Sequence, residues 1–181
     1  MNLLVVVDYQ NDFVTGSLGF AGASRLEAPI MRKIQKYIID GGEVVFTLDT
    51  HASNYLGTEE GKNLPVPHCI KGSEGHKLYG KIARVSKFAS AVFEKGTFGS
   101  EALFEYILDG KYDQIELCGL LSNTGVLSNT VIAKTAAPYA KIIVDANCTC
   151  CADGELNEKT FDIMEAMHVK VIGRNNKKES E

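Results

Sequence analysis

Charged side chains follow three of the short apolar runs in this chain. Asp8 directly follows the first run, Asp49 follows the second, and Glu94-Lys95 follows the third. An isolated charge in such a place is usually a cap or a solvated strand end. If the runs are parallel strands of one sheet, however, their carboxyl ends meet at one edge, which is where ligands bind in open α/β sheets. Two carboxylates and one ammonium group at that edge favour a functional site over three unrelated caps.

A metal-binding pattern starts at the second of these strand ends. Asp49 and His51 are two residues apart and so lie on the same side of an extended segment, while His68 returns after a long loop. One carboxylate and two imidazoles are ligands for zinc and related metals, and a set of three leaves positions open for water or substrate. Glu60 in the same loop could supply a further oxygen. A histidine near a strand end is more often only a hydrogen-bonding partner, so the pattern alone leaves both interpretations open.

A further feature is the turn that follows the fourth strand, Ser122-Asn123-Thr124-Gly125-Val126. Unpaired N–H groups at the start of a helix favour negative charge by about 0.3–1 kcal/mol. They acidify a cysteine placed there and can hold a developing oxyanion. The turn contains no cysteine, and Gly125 inside a first helical turn costs about 1 kcal/mol relative to alanine. Gly125 is therefore either a glycine that allows neighbouring elements to pack closely, or a position that has lost a functional side chain.

Apolar runs and helical patterns alternate along most of the chain. The runs predict strands at Leu3–Val7, Val44–Leu48, Ala91–Phe93, Ile115–Cys118, Ile142–Val144 and Val169–Ile172. The helical patterns cover Ala28–Asp40, Ser100–Leu108, Ser122–Lys134 and Glu155–Met167. This alternation predicts a three-layer α/β/α fold with a six-stranded, mostly parallel sheet and helices on both faces. The segment Ser53–Arg84 departs from the alternation. A connecting segment of this length in a compact domain more often has a function than not.

Length and composition set the broad class of protein. The chain has 181 residues, 45% of them hydrophobic, and a formal net charge of −4. We expect one domain over residues 1–181, with a polar tail that frays from about residue 174. The acidic balance and the lack of a basic stripe disfavour nucleic acid as a partner. No apolar run approaches the ~20 residues that cross a bilayer. An odd count of five cysteines and a start unlike a signal peptide indicate a cytoplasmic protein with reduced thiols.

Four ordered motifs give the chain a family resemblance that spans nearly its whole length. They are Val7-Asp8-Tyr9-Gln10-Asn11-Asp12-Phe13, the segment from Asp49-Thr50-His51 through Glu60-Gly61 to His68-Cys69, Glu94-Lys95-Gly96-Thr97-Phe98-Gly99-Ser100, and Cys118-Gly119-Leu120-Leu121-Ser122-Asn123-Thr124-Gly125-Val126. In these motifs the chain resembles the isochorismatase-like cysteine hydrolases. The metal-binding segment is similar to that of their nicotinamidase branch, since isochorismatases generally lack that metal.

The resemblance implies a reaction and a role for each residue. It implies hydrolysis of nicotinamide to nicotinate and ammonia through a cysteine acyl-enzyme, with Asp8 taking the thiol proton and Lys95 beside it. It also implies a cis peptide between Leu120 and Leu121 that directs backbone N–H groups at the oxyanion. One divalent metal, zinc with manganese or iron as alternatives, would be held by Asp49, His51 and His68 together with Glu60. Phe13 would form a wall of the pocket, and a homo-oligomer is expected.

One residue departs from the family pattern. The nucleophilic cysteine of the family corresponds to Gly125 here, and Cys118 lies seven positions upstream, inside a strand. We therefore expect catalysis to be impaired while the site still binds an amide or acid, because Lys95 and the metal ligands are retained. Two other functions are considered: hydrolysis of another small amide, such as an N-carbamoyl or ureido compound, and non-catalytic ligand binding.

Overall fold

Six parallel strands form a single sheet in the computed structural model, which describes residues 1–174. The strands are β1 (Asn2–Val7), β2 (Glu43–Asp49), β3 (Ala91–Lys95), β4 (Gln114–Gly119), β5 (Lys141–Thr149) and β6 (Lys170–Ile172). They lie in the order β3-β2-β1-β4-β5-β6, and every neighbouring pair is parallel. The predicted α/β fold with a six-stranded sheet is therefore confirmed. The tail predicted to fray lies outside the described residues from position 175 onward.

Seven α-helices connect the strands in residues 1–174. They are α1 (Asn11–Val14), α2 (Glu27–Ile39), α3 (Glu59–Asn63), α4 (Ile82–Val85), α5 (Glu101–Asp109), α6 (Leu127–Ala136) and α7 (Gly154–Ala166). The helix predicted from Ser122 instead begins with a π-helical turn, Ser122–Val126, before α6. The long excursion after β2 contains the short helices α3 and α4 and two 3₁₀ turns. No helix in the described part of the chain combines the length and apolar character that a membrane crossing requires.

The central strand β1 shows why a continuous apolar run belongs in this sheet. Successive side chains of a strand point to opposite faces, so a strand covered on both sides must be apolar throughout. Leu3, Val5 and Val7 pack with residues of α5, α6 and α7 on one face. Leu4 and Val6 pack with α1, α2 and α4 on the other. Two cores therefore hold the strand ends in fixed positions, including the end that leads to the charged residues.

A buried ionic cluster occupies part of the second face, where α2 crosses β4 and β5. Lys33 of α2 contacts Glu116 of β4 and lies 2.7 Å from a carboxylate oxygen of Asp145 in β5. Burial alone would lower the pKa of Lys33, but the bonds to Asp145 and Glu116 raise it above its ordinary value. The hydroxyl of Tyr37 also donates to Glu116, at 2.8 Å. The cluster thus fixes α2 to the sheet by polar contacts as well as apolar ones.

Lys33→Met should lower the free energy of unfolding by about 3–5 kcal/mol, because it leaves two buried carboxylates without their cation. Lys36→Met on the same helix is the matched control. The Lys36 ammonium pairs with Asp40 at the exposed surface, so its loss should change stability by no more than about 0.5 kcal/mol. Urea denaturation of both variants measures the difference. Equal stability of the two variants would contradict the structural importance of the buried cluster.

Candidate active site

A buried carboxylate and a buried ammonium group face each other at the carboxyl edge of the sheet. Lys95 Nζ, at the end of β3, lies 2.6 Å from Asp8 Oδ2, just beyond the end of β1. Thr47 Oγ1 donates to the other oxygen, Asp8 Oδ1, at 2.7 Å. Burial raises the pKa of Asp8 to about 6, although the charge of Lys95 opposes the shift. Asp8 also adopts a positive φ of 45°, a conformation uncommon outside glycine and found at functional sites.

Gly125 lies directly beside this pair. A Cβ built on Gly125 would be 2.9 Å from Asp8 Oδ2 and 3.0 Å from the Leu120 carbonyl oxygen. Gly125 is buried in the π-helical turn Ser122–Val126, and π turns often occur at functional sites. A side chain at position 125 would therefore begin against the carboxylate of Asp8. Both distances, like the 3.2 Å to Val7 Cγ1, are shorter than ordinary Cβ contacts, so a side chain at position 125 requires a small shift of these neighbours.

The chain between β4 and the π-helical turn follows an unusual path. Gly119 has φ of +112°, and a Cβ there would lie 2.0 Å from the Val7 carbonyl oxygen, so the close approach to β1 requires glycine. The peptide between Leu120 and Leu121 is cis. The Leu121 carbonyl accepts from the Val126 N–H at 3.0 Å. The Leu121 N–H has no backbone acceptor within residues 1–174, so it is free to donate to a ligand.

The ligand atoms of Asp49, His51 and His68 all lie within 4.8 Å of one another, and all three residues are buried. Asp49 Oδ2 is 3.0 Å from His51 Nε2 and 3.2 Å from His68 Nε2, and a Glu60 oxygen is 3.7 Å from both nitrogens. Burial alone would raise the pKa of Asp49, but the hydrogen bonds with His51 and His68 hold it well below its usual range. One anionic oxygen and two imidazole nitrogens this close together fit a divalent metal such as zinc.

The metal ligands and the Asp8–Lys95 pair form one continuous site. Lys95 Nζ is 3.6 Å from Asp49 Oδ1 as well as 2.6 Å from Asp8. Phe13 packs edge-on against His68, with ring centroids 5.6 Å apart. The site residues predicted from sequence therefore lie near one another, with Glu60 at the periphery of the site. The arrangement places the acid Asp8, the amine of Lys95, the metal-ligand set and Gly125 next to one another at one edge of the sheet.

Two buried amide side chains that support the site were not identified from sequence as having this role. Gln10 Oε1 accepts from the Asp49 N–H and Gln10 Nε2 donates to the Asp49 carbonyl, both at 2.8 Å, so the backbone of Asp49 is fixed from both sides. Asn129 donates to the carbonyls of Gly125 and Phe98 and accepts from the Ser100 N–H. Asn129 therefore ties the π-helical turn to the loop after Lys95. An asparagine in a helix carries no pattern that would have revealed this contact.

Similarity to known proteins agrees with this geometry. A family model described as the isochorismatase domain matches residues 2–176. An uncharacterised isochorismatase family protein PncA of Bacillus subtilis is 38% identical over 82 residues, which is 44% of this chain and 44% of that protein. The match thus spans less than half the length of this curated relative.

Solved structures match over almost the whole chain. The crystal structure of the nicotinamidase/pyrazinamidase PncA of Bacillus subtilis superposes with a TM-score of 0.83 at 26% identity, covering 94% of this chain and 98% of that one. The pyrazinamidase of Pyrococcus horikoshii, solved in complex with zinc, superposes with a TM-score of 0.83 at 19% identity over the same shares of the two chains. The second likeness shows the fold alone.

Asp49→Ala should abolish stoichiometric binding of zinc without unfolding the protein. The two hydrogen bonds between Gln10 and residue 49 use the main chain of residue 49, so they survive the substitution. Metal content after zinc loading and gel filtration measures the loss, and thermal unfolding by circular dichroism checks the fold. Asp40→Ala, at an exposed acid directly after α2, is the control and should leave metal content unchanged. Retained stoichiometric zinc in Asp49→Ala would contradict the assignment of Asp49 as a ligand.

Proposed function

This chain belongs to the isochorismatase domain family, and we propose that its site is that of a nicotinamidase-type amidohydrolase in which Gly125 occupies the nucleophile position. The native reaction of such a site converts nicotinamide and water to nicotinate and ammonia. The proposal is that this chain binds nicotinamide with its remaining groups and lacks the covalent step. The structural likeness to a nicotinamidase/pyrazinamidase at 26% identity supports this substrate class.

The observation that carries the proposal is the direction of the missing side chain at Gly125. A Cβ there would start 2.9 Å from Asp8 Oδ2, and Asp8 is itself 2.6 Å from Lys95. A nucleophile activated by an adjacent base needs this proximity. With a pKa of about 6, Asp8 is mostly ionised at pH 7 and takes up a proton more readily than an ordinary aspartate. These Cβ contacts are shorter than ordinary ones, so the Asp8 carboxylate would shift by a few tenths of an ångström to lie beside a thiol at position 125.

Each remaining group has a role in binding the amide. A divalent metal on Asp49, His51 and His68, with Glu60 beside them, would supply a Lewis-acid site for the pyridine nitrogen of nicotinamide. Phe13 packs against His68 and would contact the aromatic ring of the substrate. The free Leu121 N–H would donate to the amide oxygen. Together these groups hold a flat aromatic amide with its carbonyl carbon facing position 125.

The covalent step is what the side chain at position 125 would add. A thiol there would lose its proton to Asp8, and its sulfur would attack the amide carbon while ammonia leaves with a proton from Asp8. Water would then hydrolyse the thioester to give nicotinate and free the thiol. Lys95 holds Asp8 in place by its charge throughout. With Gly125 the sulfur–carbon bond cannot form, so turnover should fall by many orders of magnitude, as loss of one hydrolase nucleophile costs about 10⁶ in turnover.

Gly125→Cys should release ammonia from nicotinamide, because it returns a nucleophile to a site that retains its other groups. Gly125→Ala is the matched control. It introduces the same Cβ, with the same close contacts to Asp8 and the Leu120 carbonyl, and no thiol. Ammonia release by the wild type and by Gly125→Ala should stay at background. A coupled glutamate dehydrogenase assay on zinc-loaded protein measures all three.

The substrate assignment fails if Gly125→Cys folds and binds zinc yet stays inert on nicotinamide and pyrazinamide. Activity on an N-carbamoyl or ureido compound alone would then assign the other small-amide hydrolase function. Adding Asp8→Asn to Gly125→Cys should remove the restored activity, because the thiol proton then has no acceptor. Activity that persists without Asp8 would contradict its role as the base.

Nicotinamide should bind reversibly to the zinc-loaded wild type, and the binding heat should disappear when the metal is removed. The missing nucleophile makes this measurement direct, since no turnover competes with binding. Isothermal titration calorimetry with and without a chelating pretreatment measures the difference. Absence of any metal-dependent heat would show that the pocket does not hold a pyridine ring through the metal.

Non-catalytic ligand binding is the second candidate, and Gly125 itself is the observation that favours it. In that case nicotinamide or a related compound binds to the wild type, while Gly125→Cys gives no turnover. The same two experiments therefore separate a hydrolase that lacks its nucleophile from a family member whose site has no hydrolytic function.

A further inference from the structure

Three aromatic rings pack edge to face at the metal-ligand set. The ring centroid of Tyr55 lies 4.7 Å from that of His51 and 5.0 Å from that of His68, and the two imidazoles are 4.8 Å apart. The interplanar angles are 60°, 75° and 72°. Tyr55 is only 1% exposed. Neither imidazole can rotate in this triangle of rings without displacing Tyr55, since buried side chains are close-packed.

The two histidines differ in what else holds them. A metal-ligating histidine usually donates its other ring N–H to a carbonyl or carboxylate, which fixes the orientation of the ring. His68 follows this rule, since its Nδ1 donates to the Val66 carbonyl at 2.8 Å. The hydrogen bond of the His51 ring in residues 1–174 is made through Nε2, to Asp49, and its Nδ1 has no protein partner there. The His51 ring is therefore held by its bond to Asp49 and by packing against Tyr55 and His68, with no hydrogen bond at Nδ1.

Tyr55 is itself held by hydrogen bonds of its hydroxyl and of its backbone. Its hydroxyl donates to the Leu64 carbonyl at 2.9 Å, on the loop that leads to His68. Its backbone N–H donates to the Ala52 carbonyl at 3.1 Å, and its carbonyl accepts from Thr58 Oγ1 at 2.7 Å. A ring held in this way can transmit a fixed position to its neighbours. The same side chain thus connects the segment after His51 to the segment before His68.

We propose that Tyr55 is a positioning residue for the metal site: its ring orients the imidazole of His51 so that Nε2 faces the same point as the ligand atoms of Asp49 and His68. Tyr55 contributes no ligand atom, and its hydroxyl bonds to Leu64. The inference rests on the proposed function only in requiring that these three residues bind a metal. It assigns the ring of Tyr55 as the part that matters for metal affinity, because the buried ring keeps its packing and the backbone bonds to Ala52 and Thr58 when the hydroxyl is removed.

Tyr55→Leu tests the ring and Tyr55→Phe tests the hydroxyl. Loss of an outer-shell partner typically weakens metal binding 10–100-fold, so we expect Tyr55→Leu to raise the zinc dissociation constant by about that factor. Tyr55→Phe keeps the ring and should bind zinc nearly as the wild type does. Tyr112→Leu is the matched control. Tyr112 is a buried, hydroxyl-donating tyrosine that bonds to Glu43 at the opposite end of β2, so its removal should leave zinc affinity unchanged.

Zinc affinity is measured by competition with a chromogenic chelator, and the visible spectrum of the cobalt(II)-loaded protein reports ligand geometry. A merely structural role for Tyr55 would lower the melting temperature and leave the affinity and the cobalt spectrum unchanged. That result in folded Tyr55→Leu overturns the inference, as does an equal loss of affinity in Tyr55→Phe. If Tyr55→Leu does not fold, Tyr55→Met is judged by the same two criteria. If the wild type binds no zinc, both the metal site of the proposed function and the role of Tyr55 are wrong. If the wild type binds zinc normally and Tyr55→Leu binds it equally well, only the role of Tyr55 is wrong.

Discussion

The buried ammonium group of Lys95 is the interaction on which the site depends. A buried charge is costly unless it is paired, and Lys95 Nζ is paired with Asp8 at 2.6 Å and lies 3.6 Å from Asp49. It also donates to the Thr97 carbonyl at 2.9 Å. Parallel pairing sets Lys95 opposite Asp49 in the register of β2 and β3, and β1 lies next in the sheet. One cation thereby links the proposed base to the proposed metal ligands.

The apolar runs and the strand-end charges were sufficient to predict most of this arrangement. A strand buried on both faces is mostly apolar, so β1 was visible in sequence as a continuous run, and β2 and β4 as runs interrupted by Thr47 and Glu116. The parallel order of β1, β2 and β3 brings Asp8, Asp49 and Lys95 to one edge. The predicted helix ends were close to those observed. The predicted start of α6 at Ser122 was wrong, because the π-helical turn Ser122–Val126 depends on tertiary contacts around Gly125 that no local pattern encodes.

The residues that sequence did not reveal act through tertiary contacts. Thr47 lies in a strand where threonine is an ordinary β-former, yet its hydroxyl orients Asp8. Asn129 has the sequence context of a surface helix position, yet it is buried and joins two loops of the site. Tyr55 was visible only as one letter of a motif, and its packing against two imidazoles requires a loop that folds back on itself. Such roles depend on partners far away in the chain or on loop geometry. The hydrophobic periodicity of the sequence predicts neither.

The central claim is that a metal on Asp49, His51 and His68 and the space beside Asp8, Lys95 and Gly125 form one small-molecule site. Crystals of the zinc-loaded protein soaked with nicotinamide, measured at the zinc absorption edge, test it most directly. We expect an anomalous peak among the three ligand residues, the pyridine nitrogen at the metal and the amide carbon facing Gly125. Nicotinamide bound elsewhere, or a zinc peak away from these residues, would contradict the claim.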